Sequence, residues 1–366
     1  MAISADQPIV PGCVIRTGLM TPAKIPPTAE VPTVVPSVVG RALRAVTIAN
    51  EWISAQILVD QGADIHTLVF KPLGIDVLWK PKRAAREPGV GPPLAGDSFV
   101  LWNEYFRGGW NLIFPNFGPA VTHRGSPLEF HGEAARVAWS LGKIESSPAG
   151  ASVELEVALL RSPFHIKRLI SLTAAEPVLS ISETITNQGQ EAMECMWAHH
   201  PAFGAPLVSS DCFIETSAQL IESDDGYSVP GNDLPTGQTW PWPHVKNKLG
   251  EDVDLSKMPP REAQHTRVLY LKQFTQPHYR LVNRAIGLGV ELSWDAAVFP
   301  YATFWQDSGG GAGYPLFSEA YVMAIEPTSS YPAQGLPTVM EKTGTHETFA
   351  PGERKTTEVK ARLFEP

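Results

Sequence analysis

The sequence predicts an all-β protein, a large antiparallel β-sandwich. Three observations lead there. In the best-patterned segments apolar residues recur with a period of two, which describes strands with one buried face and one wet face. Clusters of Asn, Asp, Pro and Gly punctuate those segments as turn signals. No regular alternation of strand with amphipathic helix occurs, which argues against a parallel α/β sheet. The chain has 366 residues, 43% of them hydrophobic. That supplies a sizeable core, for one large all-β domain or two ordinary ones.

Residues 1–45 are rich in proline, as in PGCVIRTGLMTPAKIPPTAEVPTVVP. Proline breaks both a helix and a central strand. This segment reads as an extended N-terminal arm, wrapped on the body or partly disordered, with residues 46–366 as a single sandwich domain. Within that domain Val153, Leu155, Val157 and Leu159 alternate with Ser152, Glu154, Glu156 and Ala158. Leu288, Val290, Leu292 and Trp294 alternate with their neighbours, as do Thr357, Val359, Ala361 and Leu363 near the end. Asn187-Gln188-Gly189, Asp224-Asp225-Gly226 and Pro351-Gly352-Glu353 mark turns. Residues 230–262 form a long proline-rich connection, of a length often used for function, with a surface crossing as the alternative. The run SGGGAG at 308–313 lacks the Lys-Ser/Thr of a phosphate-binding loop and reads as a flexible loop.

The formal net charge is −9 and the basic residues are scattered. That argues against nucleic acid or an anionic membrane surface as the main partner, and neither is expected. No apolar run reaches membrane-span length. The N-terminus lacks a basic patch followed by an apolar stretch, so no signal peptide is expected. Cys13, Cys195 and Cys212 make no disulfide framework. A cytoplasmic monomer or homodimer is the expectation.

Four stretches set ionisable side chains in apolar or glycine-rich company: RGGWNLIFPNFG (107–118), LEFHGEAARVAW (128–139), WAHHPAFG (197–204) and YVMAIEP (321–327). Glu326 ends an apolar run that reads as a buried strand. A carboxylate there is either paired or desolvated with a raised pKa. Taken alone, His131 before a glycine reads as a structural residue and Arg107 as a turn anchor. A metal site from His131, His199, His200 and Glu326 is conceivable, but no dense ligand motif such as HExxH supports it. The expectation is no metal.

Taken in order from about residue 46 to the C-terminus, these segments resemble the aldose 1-epimerase (galactose mutarotase-like) family. QGADIHTLVF…GIDVLW (61–79) looks like the family's opening hairpin. His131-Gly132 follows, then a strand ending in Asn-x-Gly (ITNQG, 185–189), a histidine in an H-x-x-F setting, and a glutamate-proline after a small apolar strand. His200-Pro201-Ala202-Phe203 is in that register, whereas His199 would put Ala202 in the place of the Phe. His200 is therefore expected to face the cleft and His199 the other side. The resemblance implies a supersandwich fold and a substrate-holding aspartate between the second histidine and the glutamate. Asp211, Asp224, Asp225, Asp233, Asp252, Asp254, Asp295 and Asp307 all lie in that interval. The segment from Arg107-Gly-Gly to Pro115-Asn-Phe-Gly118 looks like the subgroup acting on hexose 6-phosphates.

Such a family opens a cyclic hemiacetal and closes it on the other face of C1. One group takes the proton of the C1 hydroxyl and another gives a proton to the ring oxygen. Glu326 is assigned as the base and His200 as the acid. His131 and Arg107 are assigned to hydrogen-bond the ring oxygen and hydroxyls. Trp305 is the candidate stacking platform for the sugar's C–H face, Trp110 the second, with core packing as the alternative for both. Gln306 is placed to reach a hydroxyl. The chemistry needs no cofactor. The competing readings are an anionic sugar (a phosphate or sulfonate), a carbohydrate-binding protein without turnover, and a lyase or lactonase in the same pocket.

Overall fold

The computed structural model describes residues 31–87, 97–226, 229 and 231–366. Two large sheets dominate it, and every pairing between their strands is antiparallel. The larger sheet has 12 strands. Across its middle the spatial order is Asp64–Phe70, Trp110–Ile113, Ala198–Phe203, Tyr321–Thr328, Tyr301–Ser308, Thr266–Lys272 and Leu220–Ser223. The smaller sheet has eight strands, from Cys212–Thr216 at one edge to Ser140–Ser147 at the other.

The alternation seen in the sequence is the alternation of burial. Val153, Leu155, Val157 and Leu159 face inward, as do Leu288, Val290, Leu292 and Trp294. They join Ile57 and Leu68 of the larger sheet in one continuous apolar core between the sheets. Two short α-helices and one 3₁₀ turn are the helical elements among the described residues. Helix α1 (Ser98–Tyr105) starts at Asp97, whose carboxylate accepts from the Val100 N–H at 2.8 Å. Helix α2 (Leu336–Lys342) follows the last strand of the site. Both pack on the outer face of the larger sheet, where Trp102, Phe106, Ile113, Ala198, Leu336 and Val339 share a second apolar cluster.

The sheet begins earlier than residue 46. Thr33–Val39 and Leu43–Ala49 pair along their whole length at the edge of the larger sheet, with Leu43 and Ala45 buried. An edge strand tolerates the proline at Pro36, so proline content alone misplaced this start. The rest of the expected arm, residues 1–30, lies outside the described residues. The 230–262 connection carries three short strands, Thr239–Pro241, His244–Lys246 and Asp252–Asp254. No helix among the described residues is long and apolar enough to cross a membrane.

Candidate active site

Adjacent strands set one row of side chains across the outer face of the larger sheet. In the strand Ala198–Phe203, His199 pairs with Leu112 and His200 with Asn111. On its other side Ala198 pairs with Thr328 and Ala202 with Ala324, which brings His200 level with Glu326. Glu326 pairs in turn with Thr303, and Thr303 with Tyr270. With a period of two, His200, Glu326, Thr303 and Tyr270 share one face. They floor a cleft of about 380 Å³, to which His131, Asp224 and Trp305 also contribute.

His200 and His199 therefore look in opposite directions, as the H-x-x-F register predicts. His200 Nε2 lies 3.6 Å from Glu326 Oε1. His199 points into the core, where its Nδ1 accepts from Trp110 Nε1 at 3.1 Å and its Nε2 lies 3.3 Å from Glu183 Oε2. Glu183 also accepts from Arg168 Nε at 2.7 Å and from Trp197 Nε1 at 3.1 Å. Burial alone would raise the Glu183 carboxyl, but the Arg168 and His199 charges and bonds hold it at about 2. Trp110, the second stacking candidate, is thus a core residue on the far face.

His131 sits at φ 60° in the loop before Gly132. Its N–H donates to Gly118 O at 3.0 Å, and its Nδ1 accepts from Gly118 N–H at 3.2 Å. Those two bonds fix the ring and leave Nε2 as the donor of a neutral imidazole. Gly118 and Gly132 are required by this arrangement. Their φ values are +97° and +75°, and a Cβ would fall 2.1 Å from Ala333 O and 2.2 Å from Phe114 O respectively. Burial, with the His200 charge second, holds the His131 pKa well below its usual range.

The His200–Glu326 pair is buried. Burial pushes the Glu326 carboxyl well above the usual carboxylate range and His200 down to about 4. Glu326 Oε2 and His200 Nδ1 are buried without a hydrogen-bond partner. Burial thus favours the neutral form of both groups, with the proton on Glu326 and not on His200. Two unsatisfied polar atoms at the foot of a cleft mark a place built for a polar ligand.

Of the eight aspartates in the expected interval, Asp224 is the one that lines the cleft. It accepts from the Tyr270 hydroxyl and from Gln334 Nε2, the latter at 2.9 Å, so one wall is a fixed carboxylate. Its local signal was the Asp-Asp-Gly turn at a strand end, where Asp224 Oδ1 also accepts from Gly226 N–H at 2.9 Å. Thr303 and Tyr270 carried no local signal, because their place follows from register.

Three expectations change. Arg107 does not line the cleft. Its Nε donates to Gln61 Oε1 at 3.2 Å and its Nη2 to the Arg86 carbonyl at 2.8 Å, which ties the half-buried guanidinium outside the cleft. Gln306 lies on the opposite face of its strand from Trp305; it accepts from Arg267 Nη1 at 2.8 Å and donates to the Lys257 carbonyl at 3.3 Å. The glycine-rich loop is part of the site. Asp307 Oδ1 accepts from Gly309 and Gly310 N–H at 2.8 and 3.2 Å, and Gly311 to Leu316 form a cleft wall. Trp305 does line the cleft, its ring centroid 5.7 Å from that of His200. Among the described residues no three His, Cys, Asp or Glu side chains are grouped to hold a metal ion.

The same architecture occurs in solved structures. A galactose mutarotase-like protein from Clostridium acetobutylicum is 15% identical at TM-score 0.65, over 92% of this chain and 99% of that one. A second galactose mutarotase-like protein, from Lactobacillus casei, is 20% identical at TM-score 0.58, over 87% and 99%. A galactose mutarotase related enzyme from Lactobacillus acidophilus is 15% identical at TM-score 0.58, over 88% and 97%. At such identities the likeness is one of fold. None of the curated proteins compared with the chain matches it in sequence. Residues 40–363 match the family model described as "Domain of unknown function (DUF4432)".

Proposed function

The chain belongs to the DUF4432 family, and from the cleft and the likeness of fold we propose that it is an aldose 1-epimerase-like isomerase that interconverts the anomers of a sugar. The observation that carries this reading is the buried pair His200–Glu326, 3.6 Å apart, with one unsatisfied atom on each partner. Ring opening needs one group that takes the proton of O1 and another that gives a proton to the ring oxygen. A carboxyl and an imidazole with one proton between the two groups, each able to carry it in turn, provide both.

Burial of both groups favours the neutral pair, with that proton on Glu326. Sugar hydroxyls that bond to Glu326 Oε2 restore the hydrogen bonding that burial removed, which favours the carboxylate and the imidazolium. Glu326 then takes the O1 proton and His200 protonates the ring oxygen. The reverse transfers close the ring after the C1–C2 bond has rotated. His131 gives a hydrogen bond from neutral Nε2, Asp224 accepts from sugar hydroxyls, and Trp305 offers its face to the sugar's C–H groups. No redox step and no cofactor enter this scheme.

A binding protein has no use for a matched acid and base at the foot of its cleft, so turnover is the reading we adopt over carbohydrate binding alone. Saturation-transfer NMR on equilibrated aldoses measures anomer exchange directly. Exchange above the uncatalysed rate is expected for wild type. Glu326→Gln and His200→Asn should each lose about 10²–10⁴-fold, and the double variant far less than the product of the two. No exchange with any aldose, or full activity in both single variants, would refute the proposal.

A further inference from the structure

The polar row on the cleft floor continues past the cleft itself. Asn111 pairs with His200, and Ile65 pairs with Trp110, which brings Asp64 level with Asn111. Asp64, Asn111, His200, Glu326 and Thr303 therefore share one face across five adjacent strands. All five are buried. Among the described residues each has a polar atom without a hydrogen-bond partner: Asp64 Oδ1, Asn111 Oδ1, His200 Nδ1, Glu326 Oε2 and Thr303 Oγ1. A buried polar atom left alone is costly, so such a run calls for a physical reason.

His200, Glu326 and Thr303 line the cleft, where the hydroxyls of a sugar can reach them. Asn111 does not line it, so the partner of its Oδ1 must come from the protein. On one side stands Asp64. Burial raises that carboxyl to about 8, and Asn111 is first among the groups that pull it down, ahead of the Arg168 charge. A side chain with that effect donates. The Asn111 NH2 thus faces Asp64 and its Oδ1 faces the neighbour on the other side, His200. The two nitrogens of an imidazole point to nearly opposite sides of the ring. With Nε2 turned to Glu326 on one flanking strand, Nδ1 turns to the other, which carries Asn111. Directly opposed residues of antiparallel strands have Cβ atoms about 4.5–5.5 Å apart, and χ2 of Asn is soft. A modest turn of the amide joins Oδ1 to Nδ1–H.

Resting on the epimerase reading above, we infer that Asn111 is a positioning residue for His200: its Oδ1 accepts from Nδ1–H and so leaves Nε2 as the nitrogen that exchanges protons with Glu326 and the ring oxygen. A neutral imidazole carries one N–H. With that proton on Nε2, the nitrogen cannot take the Glu326 proton and the pair stalls. With it on Nδ1, Nε2 has a free lone pair. The proton then crosses from Glu326 to Nε2, and the imidazolium keeps its bond to Asn111.

The test is two-bond proton–nitrogen correlation NMR on protein with 15N-labelled histidines, the His200 signals being assigned by their loss in His200→Asn. Saturation-transfer exchange rates are measured beside it. Wild type without sugar should show His200 as the Nδ1–H tautomer. Asn111→Leu, similar in size but without the acceptor, should shift His200 to a mixture or to Nε2–H. It should lower kcat by about 100-fold with KM within about threefold of wild type. Asn111→Ala gives the same reading should the leucine variant not fold. Asn111→Asp keeps the acceptor, and it should keep the Nδ1–H tautomer and bring kcat back to within about tenfold of wild type. An Nε2–H tautomer in wild type would overturn the inference, and so would a folded Asn111→Asp that behaves like the leucine variant. A tautomer unchanged in Asn111→Leu and Asn111→Ala would overturn it as well, leaving the ring held by the carbonyl of His200 itself, the other acceptor beside it. If no aldose exchanges, the epimerase reading fails by itself, and the tautomer series still decides the role of Asn111.

Discussion

His199 and His200 are neighbours in sequence with opposite tasks. His200 borders the cleft; His199 is clamped between Trp110 and Glu183 in the core. His200→Asn should therefore abolish most anomer exchange and leave the urea midpoint close to wild type or higher. His199→Asn should cost about 2–5 kcal/mol of stability, because it strands part of a buried ionic cluster, while the folded fraction keeps a rate within about tenfold of wild type. Exchange rates normalised to folded protein check both. The proposed acid–base pair also sets a pH dependence of stability. Glu326 keeps its proton in the folded chain above its ordinary value of 4.5, whereas the unfolded chain releases it there. Its contribution to stability is complete below pH 4.5 and is lost as pH rises toward the raised folded value. Wild type should accordingly lose stability relative to Glu326→Gln at up to about 1.4 kcal/mol per pH unit over that window. Urea unfolding at pH 4.5 and 7.5 measures it; a difference independent of pH would mean that Glu326 is ionised in the folded protein. At this scale the H-x-x-F register and an acid ending an apolar strand were legible because both are local. Arg107 was misread because its partners, Gln61 and Arg86, lie 46 and 21 residues away, and no local pattern tells a long side chain which of them to choose.

Elements that cover the sheet were harder to read than elements that form it. The period of two found the strands because both faces of a strand have a fixed destination. Helix α1 escaped because Phe99, Val100, Leu101 and Trp102 run consecutively instead of at helical spacing; the Asp97 cap was its one local mark. The glycine-rich loop was read as merely flexible, yet Asp307 pins it through two N–H groups. The 230–262 connection, by contrast, attracts notice by its length, while the walls of the cleft come from other segments. A loop's contribution depends on what the sheet beneath it presents, which is set by distant strands. The loop carrying His131 gives a sharp expectation. Gly132→Ala puts a Cβ at a positive φ and against the Phe114 carbonyl. It should lower stability by about 1–3 kcal/mol and reduce anomer exchange as His131 is displaced. Thermal melts together with the exchange rate check it; a wild-type melting temperature would show that the loop can bend away without cost.

The whole molecule is a sandwich whose two sheets are tied by more than apolar contact. The expected boundary at residue 46 gives a test of where it starts. A chain beginning at residue 31 retains every described strand, whereas one beginning at 46 loses Thr33–Val39, Leu43 and Ala45 and leaves the remnant Val46–Ala49 as an uncovered edge. The shorter chain should aggregate or show a lower urea midpoint, and equal midpoints would place the edge pair outside the cooperative unit. Fold class was legible at this scale because many weak alternating signals agree, while the number of strands in each sheet was not, since pairing order leaves no trace in local pattern. The ionic cluster behind the site reaches across the sandwich. Arg168 and Glu183 belong to the smaller sheet, His199 and Trp197 come from the site strand and its approach, and Arg168 also donates to the Ala63 carbonyl at 2.7 Å. The strand that presents His200 is thus bolted to the opposite layer one residue earlier. Distances on the cleft floor are then governed by the spacing of two whole layers, so denaturant should separate His200 from Glu326, and end any anomer exchange, in the same transition that melts the sandwich.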